Sequence, residues 1–344
     1  DSDHNHLGTG YFSDKGSIVV RILTFGTEVF SETFWKDKLQ SAWYLRTQLL
    51  DFEVTNAFRV IHGEGDGISG LIIDYYDKNW VIQAHSTGVF LQMKEIAEAI
   101  QSNFPDFCDT IYCKSAGTLP NTGTDYFLFG TKADTVAKEN NILFSVNWVE
   151  GQKTGFFLDQ RENRKLLGEF SKGKKVLNTF CYTGGFSIYA MNAGAELVTS
   201  VDISQKAVDL AASNMELNFP KANHTAVADD VFNFMREHTQ HYDVIVLDPP
   251  AFAKSIKSKH TATQAYKRLN IAGLKALAPN GILFTFSCSQ VIDDVLFYNT
   301  VAAAAIESGR NIRVLHKLGQ GPDHPTNIYH PEGHYLKGLV LFVE

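Results

Sequence analysis

The sequence of 344 residues is poor in cysteine. Its four cysteines form no C-x-x-C pair and have no histidine partners at the spacing of a zinc site. This scarcity excludes a disulfide framework, and we assign no metal. Unpaired thiols are typical of a reducing compartment, so we expect a cytoplasmic protein. The four residues are Cys108, Cys113, Cys181 and Cys288.

Long hydrophobic runs are absent as well. No apolar stretch is long enough to span a bilayer and no signal peptide opens the chain, so we expect no membrane partner. Apolar residues still make up 44% of the sequence and aromatic residues 12%, which is enough for real cores. The length suggests two or three domains.

Acidic residues are missing from one stretch, residues 249–292, although the net charge of the chain is −7. A negative chain alone argues against nucleic-acid binding. Within this acid-free window, however, the local charge is positive, and a basic surface attracts phosphate whatever the total charge is. We therefore predict that its basic residues contact the phosphates of a nucleic acid: Lys254, Lys257, Lys259, Lys267 and Arg268.

The order of predicted elements divides the chain into four parts. Residues 1–30 read as two short strands around the turn Ser13-Asp14-Lys15-Gly16, which looks like the end of a small β-barrel whose first half is absent. Residues 31–54 are predicted to form a linker helix, and residues 55–147 an α+β domain. From residue 148 strands and helices alternate, which indicates a doubly wound sheet with an antiparallel hairpin at one edge.

The most informative strand is V-I-V-L-D, residues 244–248, followed by Pro249-Pro250. A short apolar run rich in β-branched residues is typical of a strand buried in a parallel sheet. Two prolines then make a stiff, extended tip at the carboxyl end of that strand, where open α/β sheets place their active sites.

A second motif, V-L-N-T-F-C-Y-T-G-G-F-S at residues 176–187, runs from a strand through a glycine turn into a helix. Glycine lets a ligand approach the backbone, and a helix N-terminus offers N–H groups. The turn lacks G-x-G-x-x-G, which disfavours a NAD-dependent dehydrogenase. The next strand ends in Asp202, suited to ribose hydroxyls, and Asp229-Asp230 after the third strand suits an adenine amine. With D-P-P at the fourth strand, this ordered set resembles class I S-adenosylmethionine-dependent methyltransferases.

Three further segments restrict the resemblance to one family of these methyltransferases. They are E-G-Q-K-T-G-F-F-L-D-Q-R-E-N-R at residues 150–164, F-S-C-S at 286–289 and the closing D-H-P…P-E-G-H-Y-L-K. Together with the motifs above they resemble the PUA-containing bacterial ribosomal RNA cytosine-5 methyltransferases that act on large-subunit RNA, over almost the whole chain. The resemblance implies an α/β fold class: a seven-stranded, Rossmann-like class I methyltransferase domain, preceded by a small α+β domain and the end of a PUA-like barrel. It also implies S-adenosylmethionine as cofactor and ribosomal RNA as partner, and leaves a homodimer open.

The predicted cofactor site follows from these motif positions. It consists of Gln160, Arg161, Asn178, Phe180, Tyr182, Thr183, Gly184, Gly185, Asp202, Ser204, Asp229, Asp230, Asp248 and Pro249. Cys181 lies in the same loop, and we expect it to line the pocket rather than to react.

Cys288 follows a buried strand and matches the nucleophilic cysteine of the family. Cytosine C5 is a poor nucleophile, and attack of a thiolate on C6 makes C5 enamine-like so that it accepts a methyl group. Asp248 would hold or protonate the N3/N4 edge of the flipped base. Related RNA enzymes often carry a second cysteine after the strand-four aspartate, where this chain has Pro250.

Two other functions compete with cytosine-5 methylation. D-P-P tips also serve methylation of an adenine or guanine amine, which needs no cysteine. A non-catalytic RNA-binding assembly factor is the third alternative, and the cofactor acids Asp202 and Asp230 argue against it. The tail around Asp323-His324-Pro325 has acids and histidines at no standard metal spacing, and we expect a loop bordering the substrate cleft.

Overall fold

The structure is a computed structural model that describes residues 1–12, 18–26, 30–119, 121–253 and 255–344. The predicted turn Ser13-Asp14-Lys15-Gly16 and the predicted RNA contact Lys254 lie outside the described residues. The described chain divides into two compact units. The first comprises residues 1–159 and 322–333, and the second comprises residues 160–321 and 334–344.

The first unit contains three antiparallel or mixed sheets and three helices among its described residues. A two-stranded sheet pairs β1 with β2, a five-stranded sheet runs in the order β3-β4-β5-β6-β7, and β8 pairs with β9. The elements are β1 (Gly8–Phe12), β2 (Val20–Phe25), α1 (Phe34–Leu49), β3 (Ala57–His62), β4 (Leu71–Tyr76), β5 (Asn79–Ala84), α2 (Thr87–Phe90), α3 (Met93–Asn103), β6 (Thr110–Lys114), β7 (Asp125–Phe129), β8 (Asp134–Glu139) and β9 (Ile142–Asn147).

Helix α1 is part of the core of this unit, not the linker that residues 31–54 were predicted to form. Leu39 is fully buried, and the Trp43 ring stacks on Trp80 with centroids 5.4 Å apart. The predicted linker helix carries an apolar stripe, and such a stripe gains free energy only when it is covered. A barrel of the PUA type stays a prediction, since the described part of residues 1–30 forms only the β1–β2 pair.

A buried ionic cluster joins segment 322–333 to the strands of the first unit. The Asp323 carboxylate accepts the Arg59 backbone N–H at 3.1 Å, and its carbonyl accepts from the Arg46 guanidinium at 2.7 Å. Arg46 also donates to Asp66, and Arg59 to Asp74 through two nitrogens. Segment 322–333, which we expected to border the substrate cleft, is therefore held as part of the first unit.

The second unit has helices packed around one larger sheet. Its elements are α4 (Arg161–Glu169), β10 (Lys175–Thr179), α5 (Gly185–Asn192), β11 (Leu197–Asp202), α6 (Gln205–Asn218), β12 (His224–Ala228), α7 (Val231–Glu237), β13 (Tyr242–Leu247), α8 (Lys259–Ala276), β14 (Leu277–Ser287), α9 (Asp294–Ser308), β15 (Ile312–Leu318) and β16 (Lys337–Val343). No helix among the described residues combines the length and apolar content that crossing a membrane requires.

The sheet runs in the order β12-β11-β10-β13-β14-β16-β15 and confirms the predicted seven-stranded α/β fold. Strands β10 to β14 are parallel, while β16 is antiparallel to both β14 and β15, as the predicted edge hairpin requires. The strand order reverses between β10 and β13. A crevice at the carboxyl ends of strands at such a switch point is where open α/β sheets bind ligands.

Candidate functional site

The loop that follows β10 has an unusual backbone. Phe180, Tyr182 and Gly184 all have positive φ angles, of 54°, 46° and 78°. Side chains other than glycine rarely adopt this region, and such strain is typical of functional loops. A Cβ on Gly184 would approach the Ala211 Cβ to 3.0 Å, so glycine is needed there for packing as well. The loop turns the chain sharply from the β10 tip into α5.

Asp202, at the carboxyl end of β11, fastens this loop. Its carboxylate accepts the backbone N–H of Tyr182 at 3.1 Å through one oxygen and that of Ser204 at 3.0 Å through the other. A carboxylate has about four lone-pair directions, so two backbone bonds leave acceptor capacity for ligand hydroxyls. The half-buried carboxylate thus lies where β10 and β11 end side by side.

The next two predicted acids lie after β12. Asp229 accepts the Asp230 backbone N–H at 2.7 Å, and Asp230 caps α7 by accepting the Asn233 N–H at 3.0 Å. Ser204 caps α6 through the Ala207 N–H in the same manner. These caps fix the loops at the edge of the sheet, because each satisfies a backbone donor that the helix leaves unpaired.

On the other side of the switch point, Asp248 directly follows β13 and is half-buried. The Cys288 thiol follows β14, and its Sγ lies 4.0 Å from the Pro249 carbonyl oxygen. The parallel pairing of β13 with β14 brings the two strand ends to the same edge. The D-P-P tip and the predicted nucleophile are therefore neighbours, although 39 positions separate Pro249 from Cys288 in the sequence.

Comparison with known proteins identifies the family. Residues 120–331 match the model of an S-adenosylmethionine-dependent methyltransferase family. The chain belongs to this methyltransferase family. It is also 38% identical over 349 residues to Ribosomal RNA large subunit methyltransferase I of Aeromonas hydrophila, covering 98% of this chain and 88% of that relative.

Solved structures agree with this assignment. A putative SAM-dependent methyltransferase from Streptococcus mutans superposes with a TM-score of 0.86 at 27% identity, over 98% of this chain and 88% of that one. A putative methyltransferase solved in complex with SAH gives a TM-score of 0.84 with the same identity and coverage. The protein is thus a methyltransferase that uses S-adenosylmethionine.

The residues around the switch point fit this cofactor. The methyltransferase presents a ribose-type carboxylate in Asp202, a strained loop that brings its backbone to the sheet edge, and the N-terminus of α5 beginning at Gly185. Thr183 lies in the same loop and is buried. The ribose hydroxyls and the adenine amine of the cofactor need hydrogen-bond acceptors such as a carboxylate. Backbone N–H donors suit the carboxylate of its methionine part. Direct contact of the individual residues with the cofactor stays a prediction.

Asn178 has a supporting place in the structure. Its amide donates to Ser187 at 2.9 Å, Ser187 pairs with Ser200 at 2.6 Å, and Ser200 pairs with His224 at 2.8 Å. This buried polar chain ties α5 to β10, β11 and β12 beneath the loop. Burial of polar groups is tolerated because each finds a partner.

Gln160 directly precedes helix α4 and Arg161 begins it, and the helix holds a further buried residue that the sequence motifs did not single out. Gln160 is buried and accepts from Asn163 at 2.6 Å, and Arg161 donates to Glu162 at 3.0 Å. Arg164 is also buried, and a Cβ on Gly185 would lie 3.0 Å from its Cδ. The missed signal was the second arginine of Q-R-E-N-R, one helical turn after Arg161.

The cysteines differ in accessibility. Cys108, Cys113 and Cys181 are buried, whereas Cys288 is half-buried. Burial raises the pKa of the Cys108 thiol to about 11, and that of the Cys113 thiol also rises through burial. Burial, and then the charge of Asp202, raise the pKa of the Cys181 thiol well above its usual range. Cys181 is therefore poorly suited to be a nucleophile, and its place in the lining of the cofactor pocket stays a prediction.

The acid-free window is less positive in three dimensions than in sequence. Lys259 lies 3.6 Å from Asp293, and Lys267 lies 2.6 Å from Glu307. Asp293 caps the neighbouring helix α9, and Glu307 lies within that helix. Lys257 and Arg268 are exposed.

Proposed function

We propose that this methyltransferase transfers the methyl group of S-adenosylmethionine to C5 of a cytosine in ribosomal RNA of the large subunit, with Cys288 as nucleophile. The observation that carries the proposal is the half-buried Cys288 thiol at the D-P-P tip, 4.0 Å from the Pro249 carbonyl oxygen. The names of the relatives, Ribosomal RNA large subunit methyltransferase I, support the choice of RNA.

The chemistry assigns one task to each side chain. The Cys288 thiolate attacks C6 of the cytosine and forms a carbon–sulfur bond, which shifts electron density to C5. Asp248 holds the N3/N4 edge of the base and stabilises the charge that develops there. The bound cofactor supplies the methyl group. Transfer of the C5 proton to water then restores the C5–C6 double bond and expels the Cys288 thiolate.

The substrate cytosine should lie in a loop or a single strand. The narrow major groove of an A-form helix keeps C6 out of reach of a thiol, so the base must be flipped out of its stack. An unpaired base costs least to flip. This expectation follows from the proposed attack on C6 and applies to any RNA that carries the target.

The test is covalent trapping. RNA with 5-fluorocytidine at the target cannot lose its C5 substituent, so the protein–RNA bond should persist and the complex should survive a denaturing gel. Cys288→Ala should abolish both trapping and turnover. Cys181→Ala is the matched control and should still trap, because its thiol is buried within the predicted cofactor loop.

Two readouts separate this function from its competitor. Cofactor binding, measured by calorimetry, should be retained in Cys288→Ala, because the thiol contacts the base. If Cys288→Ala methylates RNA at the wild-type rate, cytosine-5 chemistry is ruled out and methylation of an exocyclic adenine or guanine amine at the D-P-P tip takes its place.

A further inference from the structure

Lys337 is a buried lysine next to the proposed nucleophile. It is the first residue of β16 and lies opposite Ser287, the last residue of β14. Only 3% of its surface is exposed. Lysine is rarely buried to this extent unless it is paired with an acid. Among the residues that the structure describes, no carboxylate lies within ion-pair distance of its Nζ.

The Lys337 ammonium instead holds the backbone around Cys288. Its Nζ donates to the carbonyl oxygen of Ser289 at 2.8 Å and to that of Tyr335 at 2.7 Å. Ser289 directly follows Cys288, and its hydroxyl accepts the Ala253 N–H and pairs with the Tyr266 hydroxyl at 3.0 Å. Ser289, and with it the loop that carries the thiol, is therefore held by the charged Lys337 ammonium at its carbonyl and by neutral hydrogen bonds at its hydroxyl.

Three acidic or ionisable groups act on the Lys337 ammonium, and the Cys288 thiol is one of them. Burial lowers the pKa of Lys337, while Asp294, Cys288 and Asp293 act in the opposite direction. The two aspartates also have other partners. Asp293 faces the Lys259 ammonium at 3.6 Å, and Asp294 faces the His334 ring at 3.4 Å. These groups come from the start of α9, the start of α8 and the turn before β16.

Among the residues that the structure describes, two other titratable groups near the thiol carry no positive charge. Tyr266, from α8, is a neutral phenol whose pKa is raised by burial. Asp248 follows the neighbouring strand β13 and carries negative charge when ionised. A positive charge close to a thiol favours the thiolate, and the thiolate is the form that attacks.

We propose that Lys337 is a positioning residue for Cys288. It holds the backbone that follows the thiol, and its buried positive charge favours the thiolate over the thiol. This inference rests on the proposed function, because attack on C6 requires a thiolate. Lys337 lies 49 residues beyond Cys288, so the sequence alone does not indicate this role.

The test measures how the alkylation of Cys288 by iodoacetamide depends on pH, read by peptide mass spectrometry on the full chain. Lys337→Gln keeps hydrogen-bond donors but removes the charge, and it should raise the pH midpoint of alkylation by about one unit. Lys337→Arg keeps the charge and should stay close to the wild-type midpoint. Tyr266→Phe removes a neutral bond to Ser289 and should leave the midpoint unchanged.

Circular dichroism and the thermal midpoint of each variant show whether it folds, and if Lys337→Gln does not fold, Lys337→Met replaces it. A wild-type alkylation midpoint in a folded, uncharged variant overturns the proposal. Equal shifts in Lys337→Gln and Tyr266→Phe overturn it too, because Lys337 would then act on structure alone. Alkylation needs no RNA, so these outcomes are independent of the trapping experiment that tests Cys288 as nucleophile.

Discussion

At the scale of single residues, carboxylates shape the loops of the predicted cofactor site. Asp202 fastens the loop after β10 through the N–H groups of Tyr182 and Ser204, and it keeps acceptor capacity for a ligand. Asp230 caps α7 while it lies at the same sheet edge. A side chain that both shapes a loop and faces a ligand contributes to affinity directly and through preorganisation.

Replacing Asp202 with alanine should weaken binding of S-adenosylmethionine by about 1–3 kcal/mol, because ligand hydroxyls lose a charged acceptor and the Tyr182 N–H loses its partner. Isothermal titration calorimetry measures the change. Asp209→Ala, an exposed aspartate of helix α6, is the matched control and should bind normally. An unchanged affinity in Asp202→Ala would remove this residue from the cofactor site.

At the scale of elements, the packing of helix α9 on helix α8 affects which lysines of the acid-free window we expect to contact RNA. Residues 249–292 contain no acid, yet α9 packs beside α8 and brings Glu307 to Lys267. An ion pair at the surface contributes little stability, but it reduces the charge that a phosphate meets. Lys257, in the turn before α8, is exposed, so we expect it to contact a phosphate more readily than Lys267 does.

We therefore expect Lys257→Glu to weaken RNA binding and to lower the dependence of affinity on salt by about one counterion. Lys267→Glu should have the smaller effect, since Glu307 already offsets its charge. Filter binding across a salt series measures both variants, and cofactor binding serves as the internal control. Identical salt slopes in the wild type and Lys257→Glu would show that Lys257 is merely solvated.

At the scale of the whole molecule, each unit contains a histidine that is kept neutral by its surroundings. In the first unit, burial and then the charge of Arg59 lower the pKa of His62 to about 2. In the second unit, burial lowers the pKa of His224 to about 4, and Ser200 is its partner at 2.8 Å. An unfolded histidine titrates near 6.5, so acid favours unfolding of both units.

The stability from these neutral histidines should be complete above pH 6.5 and should fall as the pH drops below it. Between pH 6.5 and the folded-state pKa, only the unfolded chain binds the extra proton, and each histidine contributes a slope of up to about 1.4 kcal/mol per pH unit. Urea unfolding from pH 7 to pH 4 measures this. His224→Gln should show a shallower slope, and the exposed His330→Gln should not. Equal slopes in all three proteins would contradict the assignment.

Several features could be predicted from sequence because they depend on neighbouring residues. The predicted strand end at Asp202 is observed, the strand predicted at residues 244–248 spans Tyr242–Leu247, and a strand ends directly before Cys288 as predicted. A short apolar run closed by a carboxylate, a proline pair or a glycine turn specifies a buried strand and its end. Strand Asp134–Glu139 could not be predicted, because its charged residues obscure the alternation of apolar and polar side chains that marks a strand. The Asn140-Asn141 pair that follows it is nevertheless a suitable hairpin turn.

The sequence by itself determined the α/β class and the strand ends, since periodicity and loop chemistry are local and survive without knowledge of the fold. Its ordered motifs indicated the cofactor through their resemblance to class I methyltransferases. Only the tertiary structure decided that segment 322–333 joins the first unit, that α9 offsets Lys267, and that the Lys337 ammonium binds the carbonyl of the residue after Cys288. These depend on which distant segments become neighbours. That choice is made by burial of apolar surface and pairing of strands across the whole chain, which no local pattern records.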